Sequence, residues 1–211
     1  MQLKLEAGFS LHNSPYIPGF QLVLASQSPR RRDLLNMAAL PFVSRPPYIE
    51  EIHRPTESAR DYVSRLCSEK ATATAHQEFE GVLAADTTVV VSNGNSEVIL
   101  EKPADAADAR RMISLLAGRE HSVLTAICFL WRRKQSICVE ETRVHFVQLS
   151  SSEIDSYVSS GEPFDKAGGY AIQGLASRYI SRIEGCYFNV VGLPVHRVVD
   201  VLNNAGVLVR A

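Results

Sequence analysis

The sequence lacks the features that mark several specialised classes of protein. Its 211 residues carry a formal net charge of −1, so there is no overall basic field of the kind that binds nucleic acid. No run of apolar residues reaches the roughly 18 that a membrane-spanning helix needs, and the first twenty residues lack the apolar core of a secretory signal. We therefore expect a globular protein with neither nucleic acid nor a membrane as its partner.

Cysteine and histidine are few and scattered. The four cysteines form no C-x-x-C pair, and the six histidines show no metal-ligand spacing. Reduced cysteines fit a reducing compartment, which predicts a cytoplasmic location. The sequence also has no G-x-G-x-x-G, Walker A or G-x-S-x-G pattern, which argues against the usual dinucleotide-binding, P-loop and serine-nucleophile classes.

The residues that are present predict one α/β domain at 21–211, preceded by an extension at 1–20. Apolar runs at 21–25 and 81–91 predict buried strands. A proline start and a glycine stop predict a helix from about 105 to 117.

Further strands and helices are predicted along the rest of the chain. They are a helix capped by Thr56, an Asn-Gly hairpin after residue 91, a long hairpin over 121–149, a helix behind the capping box of Ser150 and Glu153, strands in ASRYISRIEG and YFNVVG, and a helix opening at Pro194. This is a mixed α/β order without a clean repeat of βαβ units.

The stretch LASQSPRRRDLL has the features of an anion site. Ser28 and Pro29 are a typical N-cap and first residue of a helix. Three arginines follow in the first turn, where a cation loses roughly 0.3–1 kcal/mol to the helix dipole. One interpretation is a cradle in which Ser26, Ser28, the loop amides, Arg30 and Arg31 face phosphate oxygens. The other is a solvated basic turn paired with neighbouring acids.

The stretch ADTTVV places an acid among apolar residues. A buried carboxylate is costly unless it is paired or binds a metal, so Asp86 is a candidate base or metal ligand. The alternative is an aspartate that caps the end of a strand. Glu50 or Glu51 could supply a second carboxylate, and two acids beside a phosphate are a common way to hold Mg²⁺.

Two lysines and a glutamine lie next to loop-breaking residues. Lys102 in EKP and Lys166 in DKAGGYAIQG could neutralise phosphate, although either could equally be an ordinary surface lysine. The amide of Gln173 can both donate and accept a hydrogen bond, which suits the edge of a nucleotide base.

Taken together, eight stretches resemble the Maf family in their order along the chain from residue 21. They are LASQSPRRRDLL, PPYIEE, SEKA, AADTTVV, EKP, LLAGREHSVLTA, DKAGGYAIQG and NVVGLP. The family comprises nucleoside triphosphate pyrophosphatases that share a fold with inosine triphosphate pyrophosphatases. The resemblance therefore implies an elongated mixed sheet, two lobes and a central cleft.

The resemblance also implies an activity and a role for each candidate residue. The reaction would be hydrolysis of the α–β phosphate linkage to a nucleoside monophosphate and pyrophosphate, with a divalent cation, Mg²⁺ or alternatively Mn²⁺ or Co²⁺. The IEE ending aligns Glu51 with the family's acid, and homodimers are common in the family. The implied roles are catalysis for Asp86, Glu51 and Lys102, metal binding for Glu51 and Asp86, phosphate binding for Ser26, Arg31, Lys70 and Lys166, and base recognition for Arg30, Thr87 and Gln173.

Arg30, Thr87 and Gln173 match the subgroup of the family that acts on dTTP and UTP. A nucleotide-binding regulator of septum formation with little turnover is the main alternative. The intact Asp86, Glu51 and Lys102 argue against it, since a pure binder needs no acid to activate water. A phosphatase for another metabolite is a second alternative, and the base-recognition residues argue against that.

Overall fold

A computed structural model describes residues 14–94 and 96–209, and it contains a seven-stranded mixed sheet. The strands are β1 (Gln21–Leu24), β2 (Val43–Ser44), β3 (Glu80–Asn93), β4 (Ser96–Leu100), β5 (Glu120–Trp131), β6 (Lys134–Phe146) and β7 (Ile180–Glu184). The order across the sheet is β2-β1-β3-β5-β6-β7, and β4 pairs with β3. β1 runs parallel to β2 and β3, and the other pairs are antiparallel. The α/β fold and the mixed sheet expected from the sequence are confirmed.

The described residues form six α-helices around this sheet. They are α1 (Pro29–Met37), α2 (Ala59–Ala73), α3 (Ala106–Leu116), α4 (Ser151–Ser159), α5 (Tyr187–Val191) and α6 (Val195–Asn204). The Ser28 cap of α1, the capping box of α4 and the Pro194 start of α6 are confirmed. The helix over 105–117 and both predicted hairpins are confirmed as well. No helix within the described ranges is both long and apolar enough to span a bilayer.

Three local predictions were wrong. The segment YFNVVG is the helix α5 rather than a strand. In ASRYISRIEG only the second half is a strand, because Leu175–Tyr179 form a 3₁₀ turn. The cap of α2 is Ser58, whose hydroxyl accepts from the amide of Asp61 at 3.1 Å, rather than Thr56.

Buried apolar side chains form three clusters around the sheet. One lies beneath α3 and α4, a second lies between β1, α1 and α6, and a third lies between the sheet and α2. Members of all three clusters line the expected cleft, among them Val89, Val191 and Ala25.

Part of the predicted N-terminal extension packs against the domain. Tyr16 is buried in the second cluster and bridges to Leu208, and the amide of Ile17 donates to the carbonyl of Val207 at 2.9 Å. Residues 1–13 lie outside the described part of the chain.

Candidate active site

A cleft of about 490 Å³ collects all ten candidate residues. Its walls are the N-terminus of α1, the middle of β3 and the loop that follows α4. The residues that line it include Ser26, Arg30, Arg31, Glu51, Lys70, Asp86, Thr87, Lys102, Lys166 and Gln173. Residues from six separate stretches of sequence therefore meet in one place.

A buried lysine joins the two candidate acids. The Nζ of Lys70 lies 2.5 Å from Oδ1 of Asp86 and 2.7 Å from Oε1 of Glu51. Asp86 is 6% exposed and Lys70 is 9% exposed. Burial raises the pKa of the Asp86 carboxyl above its ordinary value, against the opposing effect of Lys70 and Arg31. Burial also acts to raise the pKa of Glu51, but Lys70, Lys102 and Arg31 outweigh it and leave that pKa lowered.

The structure distinguishes between the two adjacent glutamates. Both are exposed, but Glu51 lines the cleft, whereas Glu50 is not among the lining residues. The hydroxyl of Tyr62 lies 3.4 Å from the backbone carbonyl of Glu51 and also bonds the carboxylate of Glu101. The single hydroxyl proton of Tyr62 is directed to Glu101, so Tyr62 places α2 beside the backbone at Glu51 without a second hydrogen bond.

Arg31 is held in place by three fixed acceptors. Its Nε donates to the carbonyl of Gly192 at 2.9 Å, and its two terminal nitrogens donate to the hydroxyls of Ser26 and Thr87 at 3.1 Å each. A guanidinium has five N–H groups, so two remain for a ligand. Burial lowers the pKa of Arg31, with Asp86 acting against that effect.

Ser26 is arranged as a donor towards the cleft. Its hydroxyl oxygen accepts from Arg31 at 3.1 Å and from the amide of Ser28 at 3.2 Å. Both lone pairs are therefore occupied, and the hydroxyl proton remains free to donate. A phosphate oxygen is the kind of acceptor that this arrangement suits.

Further cations lie where the first turn of α1 meets the loop that follows α4. The Nη1 of Arg30 lies 3.9 Å from a carboxylate oxygen of Asp165. The Nζ of Lys166 donates to the carbonyl of Glu162 at 2.6 Å and pairs with Asp165. Lys102 and Gln173 are exposed at the edge of the cleft.

The donor set of Asp86 and Glu51 fits a hard divalent cation. Both carboxylates already converge on one positive group, the ammonium of Lys70, at 2.5 and 2.7 Å. Oxygen ligands are those that Mg²⁺ prefers. A second metal-like cluster, Glu120, His145 and Glu184, has ligand atoms within 4.8 Å of one another. None of these three residues lines the cleft.

Sequence reasoning missed the residues that support the cleft from behind. Thr125 on β5 and Asn189 on α5 are fully buried and connect to Thr87. The pairing of Thr87 with Thr125 is set by strand register. The motif NVVGLP contains Asn189, but it was associated with no role, because the predicted strand gave no reason to bury an amide there.

A family model described as "Maf-like protein" matches residues 21–205. The chain belongs to the Maf family. A protein from Koribacter versatilis (strain Ellin345) called "dTTP/UTP pyrophosphatase" is 44% identical over 193 residues, which is 92% of this Maf chain and 98% of the relative. A protein of the same name from Anaeromyxobacter sp. (strain Fw109-5) is 46% identical over 192 residues, covering 89% and 90% of the two chains.

One solved structure is also similar to this Maf protein. A HAM1 protein from Coxiella burnetii aligns with 62% of the chain and 74% of its own length, with a TM-score of 0.42 and 15% identity. A likeness of that size says nothing about function.

Proposed function

We propose that this Maf-family protein is a nucleoside triphosphate pyrophosphatase that hydrolyses dTTP and UTP to the monophosphate and pyrophosphate. The observation that carries the proposal is the cleft itself, in which the buried Asp86 and the partly exposed Glu51 share Lys70 beside a cluster of cationic and hydroxyl donors. The names of relatives 44–46% identical to the chain support the same activity and the same substrates.

Asp86 is the group that would take the proton from the attacking water. Its pKa is raised by burial, which makes the carboxylate a stronger base than an exposed aspartate. Lys70, whose Nζ lies 2.5 Å away, acts against that rise and favours the ionised carboxylate. A positioned general base contributes typically about 10²–10⁴-fold to the rate.

The phosphates would lie against the N-terminus of α1. The two unused N–H groups of Arg31 and the free proton of Ser26 would donate to phosphate oxygens there. Lys102 and Lys166 line the same cleft. A triphosphate would offset the unfavourable placement of arginines in the first turn of a helix, which otherwise lacks an acid there.

Glu51 and Asp86 would hold a divalent cation, for which we propose Mg²⁺, with Mn²⁺ or Co²⁺ as alternatives. When bound, the cation would polarise a phosphoryl oxygen and neutralise charge in the transition state. Arg30, Thr87 and Gln173, which line the same cleft, would then recognise a pyrimidine base.

We also propose a cytoplasmic location and a homodimer. All four cysteines are free, as they would be in a reducing compartment. The dimer follows from the family resemblance. The net charge of −1 supports a nucleotide rather than a nucleic acid as the partner.

The test is pyrophosphate release from a panel of nucleoside triphosphates with Mg²⁺. We expect rapid release from dTTP and UTP, little from purine nucleotides, and a loss of about 10²–10⁴-fold in Asp86→Asn. Asp33→Asn on the exposed side of α1 is the matched control and should retain activity. Binding by calorimetry without any release would contradict the proposal and favour the regulator.

A further inference from the structure

A row of hydroxyl groups runs from the cleft into the interior. A terminal nitrogen of Arg31 donates to Oγ1 of Thr87 at 3.1 Å, and Oγ1 of Thr87 lies 2.9 Å from Oγ1 of Thr125. Oγ1 of Thr125 lies in turn 3.1 Å from the backbone carbonyl of Asn189. The row therefore begins at a group that can only donate and ends at a group that can only accept.

These two ends determine the direction of every hydrogen bond between them. A carbonyl oxygen cannot donate, so the single hydroxyl proton of Thr125 must point to Asn189. Thr125 then has only lone pairs to offer Thr87, which must direct its own proton inwards. Towards the cleft, the hydroxyl of Thr87 is left as an acceptor, with one lone pair occupied by Arg31.

The inner end of the row is rigid and dry. Thr125 and Asn189 are both 0% exposed, so water cannot replace either partner. The amide of Asn189 donates to the carbonyl of Val123 at 2.9 Å and to the hydroxyl of Thr142 at 3.0 Å. These contacts lock α5 against β5 and β6, and they hold the Asn189 carbonyl where Thr125 needs it.

We propose that Thr125 makes Thr87 an acceptor-only hydroxyl, and that this arrangement selects uracil and thymine over cytosine. The proposal rests on the proposed function and deepens it. Uracil and thymine carry an N–H at ring position 3, which can donate to Thr87. Cytosine has a lone pair at that position, which would face another lone pair.

The same geometry explains why Thr87 suits a base better than a phosphate. An ionised phosphate oxygen only accepts, and so does the cleft side of Thr87. Ser26 is the opposite case, since its two lone pairs are occupied and its proton is free. Of the two hydroxyls that accept from Arg31, that of Ser26 therefore suits the phosphate of a nucleotide, and that of Thr87 suits the N–H of its base. Thr125 is a positioning residue, because it acts through Thr87 and does not touch the ligand.

The experiment compares Thr125→Val with Thr125→Ser in the full chain. Valine has nearly the shape of threonine but no hydroxyl, so the Thr87 proton loses its inner acceptor and can turn towards the cleft. We expect dCTP to become a better substrate, with the ratio of kcat/KM for dTTP over dCTP falling about tenfold, as for one neutral hydrogen bond. Serine keeps the hydroxyl and should retain the wild-type ratio.

A purely structural role for Thr125 would lower kcat/KM for both nucleotides together and leave the ratio unchanged, and that result would overturn the proposal. Should the wild-type chain release no pyrophosphate from any nucleotide, the proposed function fails separately. The ratio of Kd values for dTTP and dCTP, measured by calorimetry in the same three proteins, then decides the role of Thr125.

Discussion

Replacing Lys70 by methionine tests the electrostatic balance at the centre of the cleft. The substitution keeps an apolar stem but removes the ammonium that lies 2.5 Å from Asp86 and 2.7 Å from Glu51. Removing one partner of a buried ion pair costs about 3–5 kcal/mol. Because the Glu51 side chain is 40% exposed and therefore partly screened, we expect the lower end, about 3 kcal/mol at pH 8.

This loss depends on pH in a defined direction. One pKa unit corresponds to about 1.36 kcal/mol, so about 3 kcal/mol equals a further rise of about two units in the pKa of Asp86. A carboxyl whose pKa is raised in the folded state destabilises the fold above that pKa, and protonation relieves the effect. The difference between Lys70→Met and wild type should therefore shrink as the pH falls through the raised pKa of Asp86 towards its ordinary value.

The measurement is urea denaturation at pH 8 and pH 5 in the presence of a chelator. Lys102→Met is the matched control, because this exposed lysine lines the same cleft and should change the free energy of unfolding by less than about 0.5 kcal/mol. An equal loss at both pH values, or no loss at all, would show that Lys70 does not hold Asp86 in its ionised form.

Two further predictions concern glycines. Gly192 has φ of +120° and its carbonyl accepts from Arg31, so Gly192→Ala should add strain of about 1–3 kcal/mol and lower kcat/KM for dTTP about tenfold. Gly206→Ala, at φ of +69° in open space, should strain the backbone but leave kcat/KM unchanged. A Cβ on Gly81 would lie 2.7 Å from ring atoms of Phe129 and Phe20. Gly81→Ala should therefore lower Tm by about 5 °C without changing kcat, and an unchanged Tm would contradict the close packing.

The sequence alone predicts a helix cap well when both partners of the capping hydrogen bond are close together in the chain. The cap of α1 at Ser28 and the capping box of Ser150 and Glu153 need only neighbouring residues, and both were predicted correctly. Ser58 had the same kind of signal, because Asp61 follows three residues later. That spacing could have identified the cap that was assigned to Thr56.

Tertiary contacts explain why the segment YFNVVG is a helix and not the predicted strand. Valine and aromatic residues in YFNVVG favour a strand, yet α5 forms because Asn189 buries its amide against β5 and β6. Such partners are distant in sequence, so periodicity cannot reveal them. For the same reason, candidate residues such as Asp86 could be identified one by one, whereas the ion pair of Lys70 with Asp86 and the three bonds of Arg31 required the folded chain.

The three bonds of Arg31 have a consequence for the entropy of binding. Immobilising a long, flexible side chain costs up to about 2 kcal/mol of conformational entropy. In this cleft the carbonyl of Gly192 and the hydroxyls of Ser26 and Thr87 have already ordered the guanidinium. That entropy is lost once, when the chain folds, and not each time a nucleotide arrives. The exposed Lys102, by contrast, would have to become ordered each time it contacts a nucleotide. At the proposed site Arg31 is therefore a preorganised template, to which a flexible triphosphate would adapt its own shape.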